Sequence, residues 1–196
     1  KTLGGERKYV EPAKGTVNPR VFIDRLAKKM PANVTVVADV GQNQIWTCTE
    51  YKFRKEGRLL TSGGMGTMGY SVPAAIGAKM ADDSRATVAI CGDGAFQMSF
   101  MELATAVQFG VDIKVVVMTN NRLGMVRELQ TNGYHDRQTA VFLDGSPDFI
   151  KLAEAYGIPA MRVYDDDTME KGVEMLAEHK GICLVEVVVD KDMPTL

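Results

Sequence analysis

The sequence predicts an α/β fold: a mostly parallel six-stranded sheet with helices on both faces. Three observations carry this. Six short runs of β-branched and aliphatic residues alternate with segments of helical periodicity. The longer runs are apolar throughout instead of alternating with polar residues, as strands covered on both faces are. Polar and Gly-rich stretches follow the runs, where open parallel sheets place their ligands.

Taken in order, residues 1–16 are Gly- and charge-rich without periodicity and read as a linker or N-terminal arm, with residues 17–196 as the domain. The first residue is Lys1 and no leader pattern follows it, so the expectation is a cut start without an export signal. Asn18-Pro19 opens a helix with Phe22, Ile23, Leu26, Ala27 and Met30 on one face, ended by Pro31. Strands are expected at 34–39, 58–61, 87–91, 114–119, 160–164 and 183–189. Helices are expected at 42–51, 70–80, 95–109 (closed by Gly110), 147–156 (closed by Gly157) and 168–179. Residues 122–145 show no periodicity, and so long a loop inside a compact domain reads as a lid.

Of the 196 residues, 45% are hydrophobic and 24% charged, enough apolar material for one core. A formal charge of -2 removes the broad basic field that nucleic acid or an anionic membrane attracts, and no apolar stretch approaches the roughly 20 residues of a membrane span. Cys48, Cys91 and Cys183 are odd in number and form no C-x-x-C pair. They indicate neither a disulfide framework nor a zinc site, and the expected location is a reducing cytoplasm.

The chemistry concentrates at two strand ends. Gly92-Asp93-Gly94 follows one apolar run and Asn120-Asn121 the next, with a helical segment between. Adjacent parallel strands would bring the carboxylate and an amide oxygen together, two hard donors suited to Mg²⁺, whose shell is commonly completed by water and substrate phosphates. The glycines let backbone approach a phosphate, and the following helix start offers unpaired N–H groups. Either motif alone would be an ordinary turn. Together they describe a metal-bridged diphosphate site.

Gly92-Asp93-Gly94 followed by Asn120-Asn121 resembles the signature of thiamine diphosphate enzymes. Asp39-Val40-Gly41-Gln42-Asn43-Gln44-Ile45-Trp46, Ser62-Gly63-Gly64-Met65-Gly66-Thr67-Met68-Gly69-Tyr70 and Leu123-Gly124-Met125-Val126-Arg127 extend the resemblance to the C-terminal diphosphate-binding domain of the acetolactate synthase (acetohydroxyacid synthase) catalytic subunit, over residues 17–189. That resemblance implies the thiamine diphosphate-binding fold. It assigns the Mg²⁺ ligands as Asp93, Asn120 (with Asn121 the runner-up) and the main chain of Arg122. It places Val40, Gly41, Gln42, Asn43, Gly92, Gly94 and Ala95 against the diphosphate, and Leu123, Gly124 and Met125 beside the cofactor. Asn43 stands where family members often carry His. Met68 would be the wedge that folds the two cofactor rings into a V, a task suited to an unbranched thioether, and the Gly66 carbonyl would hold the aminopyrimidine.

The reaction so implied decarboxylates pyruvate and condenses the resulting enamine with a second 2-oxo acid, pyruvate or 2-oxobutyrate, in branched-chain amino-acid biosynthesis. The family's essential glutamate lies in a pyrimidine-binding domain, and FAD in a middle domain; neither is accommodated in this chain. The implied partners are therefore a pyrimidine-binding domain of the same enzyme or of a partner subunit, other copies in a homo-oligomer, and a regulatory subunit where one exists. The chain alone is expected to be inactive, either as a fragment or as a separately encoded subunit. Leu129 stands where the family often has a Trp lining the substrate channel, which bears on acceptor choice.

Rival readings stay open at this level. Residues 64–69 also match G-x-G-x-x-G, but the preceding strand is short and the acidic residues in range, Asp82 and Asp83, precede a strand instead of ending one. Another thiamine diphosphate-dependent decarboxylase or oxidase would keep Asp93 and Asn120, and a degenerate, non-catalytic domain would bind no cofactor. His135 in the lid and His179 at a helix end read as a solvated side chain and a favourable dipole partner, and Asp165-Asp166-Asp167 as a helix cap facing water.

Overall fold

The computed structural model describes residues 10–196, so the first nine residues of the expected arm lie outside the described residues, and 10–16 contain neither helix nor strand. The elements run α1 (Pro19–Lys29), β1 (Thr35–Ala38), α2 (Gln42–Glu50), β2 (Arg58–Thr61), α3 (Ser71–Ala81), β3 (Thr87–Gly92), α4 (Asp93–Gln97), α5 (Leu103–Gln108), β4 (Lys114–Thr119), α6 (Gly124–Gly133), α7 (Phe149–Ala155), β5 (Ala160–Val163), α8 (Asp166–Glu178) and β6 (Cys183–Val188). The six strands form one sheet in the order β2-β1-β3-β4-β6-β5, and every pairing is parallel.

The apolar runs explain the layers. Successive side chains along a strand point to opposite faces. Val36, Val88, Ile90, Val116, Met118, Val185 and Val187 meet α1, α2 and α8 on one face through Phe22, Leu26, Trp46, Val173 and Leu176. Val37, Ala89, Cys91, Val115, Val117 and Leu184 meet α3, α4, α5 and α7 on the other through Val72, Ile76, Phe96, Leu103 and Phe149. A polar residue in mid-strand would bury a group that needs a partner, and the one charged residue buried there, Glu186 of β6, has one in Arg162 of the neighbouring β5 (2.7 Å).

Most boundaries fall within two residues of expectation, and the caps say why. Asn18 accepts from the Arg20 N–H ahead of Pro19. Asp165 and Thr168 form a reciprocal capping box, so the Asp run does cap α8. Two segments depart from expectation. The single helix expected at 95–109 is α4, a 3-10 turn at Phe100–Glu102, and α5, because Ser99 (φ -144°) leaves helical space. Its apolar positions still bury on one side, so periodicity detected the face but not the break. The stretch 122–145 contains α6, whose apolar residues Met125, Val126 and Leu129 stay outside the core, Arg127 being its one buried residue.

Connections leave β1 and β3 in opposite directions, toward β2 and toward β4. This topological switch point opens a crevice at the carboxyl ends of β1 and β3.

Candidate functional site

Asp93 is the first residue of α4, directly after β3, and is almost fully buried. Its Oδ2 accepts the backbone N–H groups of Asn120 (3.1 Å) and Asn121 (2.7 Å), and its Oδ1 that of Gly94 (2.8 Å). The two strand tips expected to meet do meet. Among the described residues no Lys, Arg or His forms an ion pair with Asp93, and burial pushes its carboxyl up to about 6 despite those N–H donors.

The Asn pair divides its work. Asn121 is exposed and takes φ +54°, a left-handed turn that Asn tolerates, and its N–H fastens the tip of β4 to Asp93. Asn120 is half-buried; its Oδ1 accepts the Arg122 N–H (3.0 Å) and its Nδ2 donates to Gln42 Oε1 (3.2 Å). Gln42 Nε2 in turn donates to Met193 O and Thr195 Oγ1 (both 3.0 Å) and to Glu128 Oε2 (3.3 Å). The Asn43 amide straps β1 to β3 by donating to Asp39 O (2.8 Å) and Ile90 O (3.2 Å).

These residues wall a cleft of about 100 Å³. It is lined by 40–43, 92–95, Asn120, 122–125 and Met68, which brings together all but two of the residues singled out in the sequence. Gly66 (φ +65°) lies in the turn outside the lining, and Leu129 is exposed on α6. His135 is exposed, and His179 ends α8 as its C-cap. Trp46, Met118, Val126 and Val189 also line the cleft; Trp46 sits one helical turn after Gln42, and Met118 and Val189 lie at strand ends, a signal that could have found them.

Two glycines are required by space. A Cβ on Gly124 would lie 1.9 Å from Gln42 Oε1; one on Gly94 would lie 2.7 Å from Leu123 Cδ2 and 3.3 Å from Met68 Cε. The space above each glycine is therefore taken by side chains, Gln42 over Gly124 and Leu123, Leu143 and Met68 over Gly94.

The donor set suits Mg²⁺. A carboxylate offers about four lone-pair directions, so Asp93 retains capacity beyond its three N–H bonds. Its buried, unpaired charge is one that a cation would neutralise. Among the described residues no group of three or more His, Cys, Asp or Glu is assembled, so a cation here would need amide and main-chain oxygens and non-protein ligands, the usual habit of Mg²⁺.

Residues 39–187 match the family described as thiamine pyrophosphate enzyme, C-terminal TPP binding domain. The chain is 39% identical over 185 residues to the mitochondrial acetolactate synthase catalytic subunit of Aspergillus candidus, covering 93% of this chain and 26% of that protein. It is 38% identical over 181 residues to the acetolactate synthase large subunit of Lactococcus lactis (92% and 31%), and 34% over 184 residues to the acetolactate synthase isozyme 2 large subunit of Escherichia coli K12 (94% and 33%). The chain thus spans about a quarter to a third of the length of the curated relatives it matches.

Proposed function

This chain belongs to the thiamine pyrophosphate enzymes, whose C-terminal TPP-binding domain it carries, and from that premise we propose that residues 17–196 supply the diphosphate- and Mg²⁺-binding half of an acetolactate synthase active site. The observation that supports it most is the buried Asp93 carboxylate, without a cation partner among the described residues, held against the tip of β4 beside Asn120.

In this reading Asp93, the Asn120 Oδ1 and the Arg122 main chain hold Mg²⁺. Residues 40–43 and 92–95 receive the diphosphate, with Leu123, Gly124 and Met125 closing the cleft. Met68 separates the cofactor rings, and Gly66 holds the aminopyrimidine with its carbonyl. When bound, thiamine diphosphate supplies the electron sink that lets a 2-oxo acid lose carbon dioxide and its carbonyl carbon attack a second carbonyl. The chain's own part is positional. It holds the metal and orients the diphosphate, sets the ring geometry from Met68, and presents the α6 face carrying Leu129 to the acceptor, pyruvate or 2-oxobutyrate.

The cleft is well below the roughly 300–1,000 Å³ of a site for a cofactor-sized ligand. Its remaining walls are assigned to a pyrimidine-binding domain, from the same enzyme or a neighbouring copy, which also brings the activating glutamate. FAD and any regulatory subunit belong to the parent assembly. The chain alone is expected to form no acetolactate. Among the described residues no helix is long and apolar enough to cross a membrane, and the three cysteines are free, which supports a reducing compartment such as the cytoplasm.

Calorimetry of thiamine diphosphate with Mg²⁺ on the full-length parent enzyme tests the assignment. Asp93→Ala should abolish metal-dependent binding; undiminished affinity would reject Asp93 as the ligand. Acetolactate, in place of aldehyde or acetate, is the expected product.

A further inference from the structure

We propose that Asp39 is a positioning residue: its buried carboxylate holds the 62–70 turn so that Met68 enters the cleft opposite Gly94. This rests on the reading of the cleft given above and adds to it the residue that sets the wedge.

Asp39 is 0% exposed, and among the described residues no Lys, Arg or His pairs with it. A carboxylate taken out of water without a cation persists only where its hydrogen bonds repay the desolvation. Here three backbone donors do so: Val40 N–H (2.8 Å) and Gly69 N–H (3.1 Å) to Oδ1, and Ser71 N–H (2.7 Å) to Oδ2. Bonds from N–H groups to an ionised oxygen are about twice as strong as neutral ones. Two of the donors come from beyond β2, so the carboxylate staples the carboxyl end of β1 to the entry of α3.

Met68 and Tyr70 pack against the second core cluster, but the rest of the stapled segment has few other anchors. A Cβ on Gly63, Gly64 or Gly66 would meet nothing within 4 Å, and Met65 is 92% exposed. The other bonds donated by the turn, Gly63 N–H to Thr61 O, Gly66 N–H to Ser62 O and Thr67 N–H to Ser62 Oγ, reach no farther than the end of β2. Gly69 adopts φ +84°, and a Cβ there would lie 3.0 Å from Met98 Cβ, so the backbone passes where a side chain could not. Met68 immediately precedes this fastened point. β1 also leads directly into Val40 and Gly41 of the cleft wall, whose place is set by the pairings of β1 with β2 and β3 and by the Asp39 N–H bond to Ile90 O (2.8 Å), so the carboxylate aligns the wedge with a wall held independently of it.

Asp39→Asn is nearly isosteric but turns an NH₂ toward one of the three N–H donors. It costs at least one bond and sets donor against donor, which shifts the turn without emptying the core. Misplacement near 1 Å of a group that orients a reaction costs about a hundredfold in rate.

The test is a double-variant cycle in the full-length parent enzyme. Asp39→Asn is expected to lower kcat by about a hundredfold, while inhibition by inorganic pyrophosphate with Mg²⁺ stays within about twofold of wild type, since the metal ligands are untouched. Met68→Ala should also slow the reaction, and the double variant should be no slower than the slower single one by more than about threefold, because both remove one placement. Effects that multiply, an unchanged kcat in Asp39→Asn, or pyrophosphate binding that weakens in step with kcat would overturn the proposal. Amide hydrogen exchange in the wild-type enzyme needs neither turnover nor a folded variant: Gly69 and Ser71 should exchange far more slowly than Gly64 and Met65. Fast exchange at Gly69 and Ser71 would overturn the staple. Failure of the wild-type enzyme to take up thiamine diphosphate, with Gly69 and Ser71 still protected, would instead reject the reading of the cleft and with it the task assigned to Met68.

Discussion

Asp93 sets the charge balance of the cleft. Its carboxyl lies near 6 because burial outweighs the N–H bonds from Asn121, Gly94 and Asn120. Between pH 4 and 6 the folded protein therefore keeps a proton that the unfolded chain has released, and stability falls as pH rises through that window, by about 3 kcal/mol for this group. The metal-free protein should lose more stability between pH 4 and 7 than its Asp93→Asn variant does, read as the difference in denaturant midpoints at each pH; carboxylates whose acidity is raised, such as Asp165, cancel in that difference. Identical pH slopes would contradict the burial argument. At this scale the sequence was informative wherever chemistry is local: Asp93 and Asn120 sit at the ends of apolar runs, so their convergence needed only that the strands be neighbours. The contact of Asn120 with Gln42, across 78 positions, had no such signal.

Among the elements, α6 shows how a helix can escape a periodicity search. Val126 and Leu129 are exposed, and the one buried position is an arginine, so the helix is short of core-facing apolar residues even though its backbone is helical. Its first residue matters most for the cleft. Gly124→Ala would drive a methyl group into Gln42 Oε1 and against Asn120 Nδ2 at 3.1 Å, and is expected to cost about 1–3 kcal/mol in chemical unfolding and to weaken Mg²⁺-dependent cofactor binding. At the far end of the same helix, Gly133→Ala meets nothing within 4 Å and should be neutral or stabilising by up to about 1 kcal/mol. Equal effects at the two positions would mean that the contact with Gln42 adds nothing. The break at Ser99 was equally hidden, because the apolar spacing on either side of it continues as if the helix were whole.

Across the whole molecule the buried charges, apart from the ion-paired Arg20, Glu50, Arg127 and Glu186, separate by end of the sheet. Arg85, Lys79 and Lys114 sit at the amino end, where Arg85 donates to Val34 O (3.2 Å), Lys79 to Arg85 O (3.0 Å) and Lys114 to His179 O (2.8 Å). Asp39 and Asp93 occupy the carboxyl end, so negative charge collects where the cleft opens. The last residues brace that end: Trp46 Nε1 donates to Pro194 O (3.1 Å), Arg20 donates to Thr195 O, and Glu128 accepts from Thr195. Removing residues 193–196 should red-shift the emission of Trp46, the single tryptophan, and lower the melting temperature; unchanged emission would show that the tail adds nothing to this corner. Element order, the parallel sheet and the polar strand ends were determined by the sequence itself, since a strand buried on both faces must be apolar along its length and its end must release the chain to solvent. Only the tertiary structure decided that β1 lies between β2 and β3, that Asp39 reaches Gly69 and Ser71, and that the tail closes on Gln42. Those contacts join residues far apart in the chain, and they are selected by how whole layers pack, which no local pattern encodes.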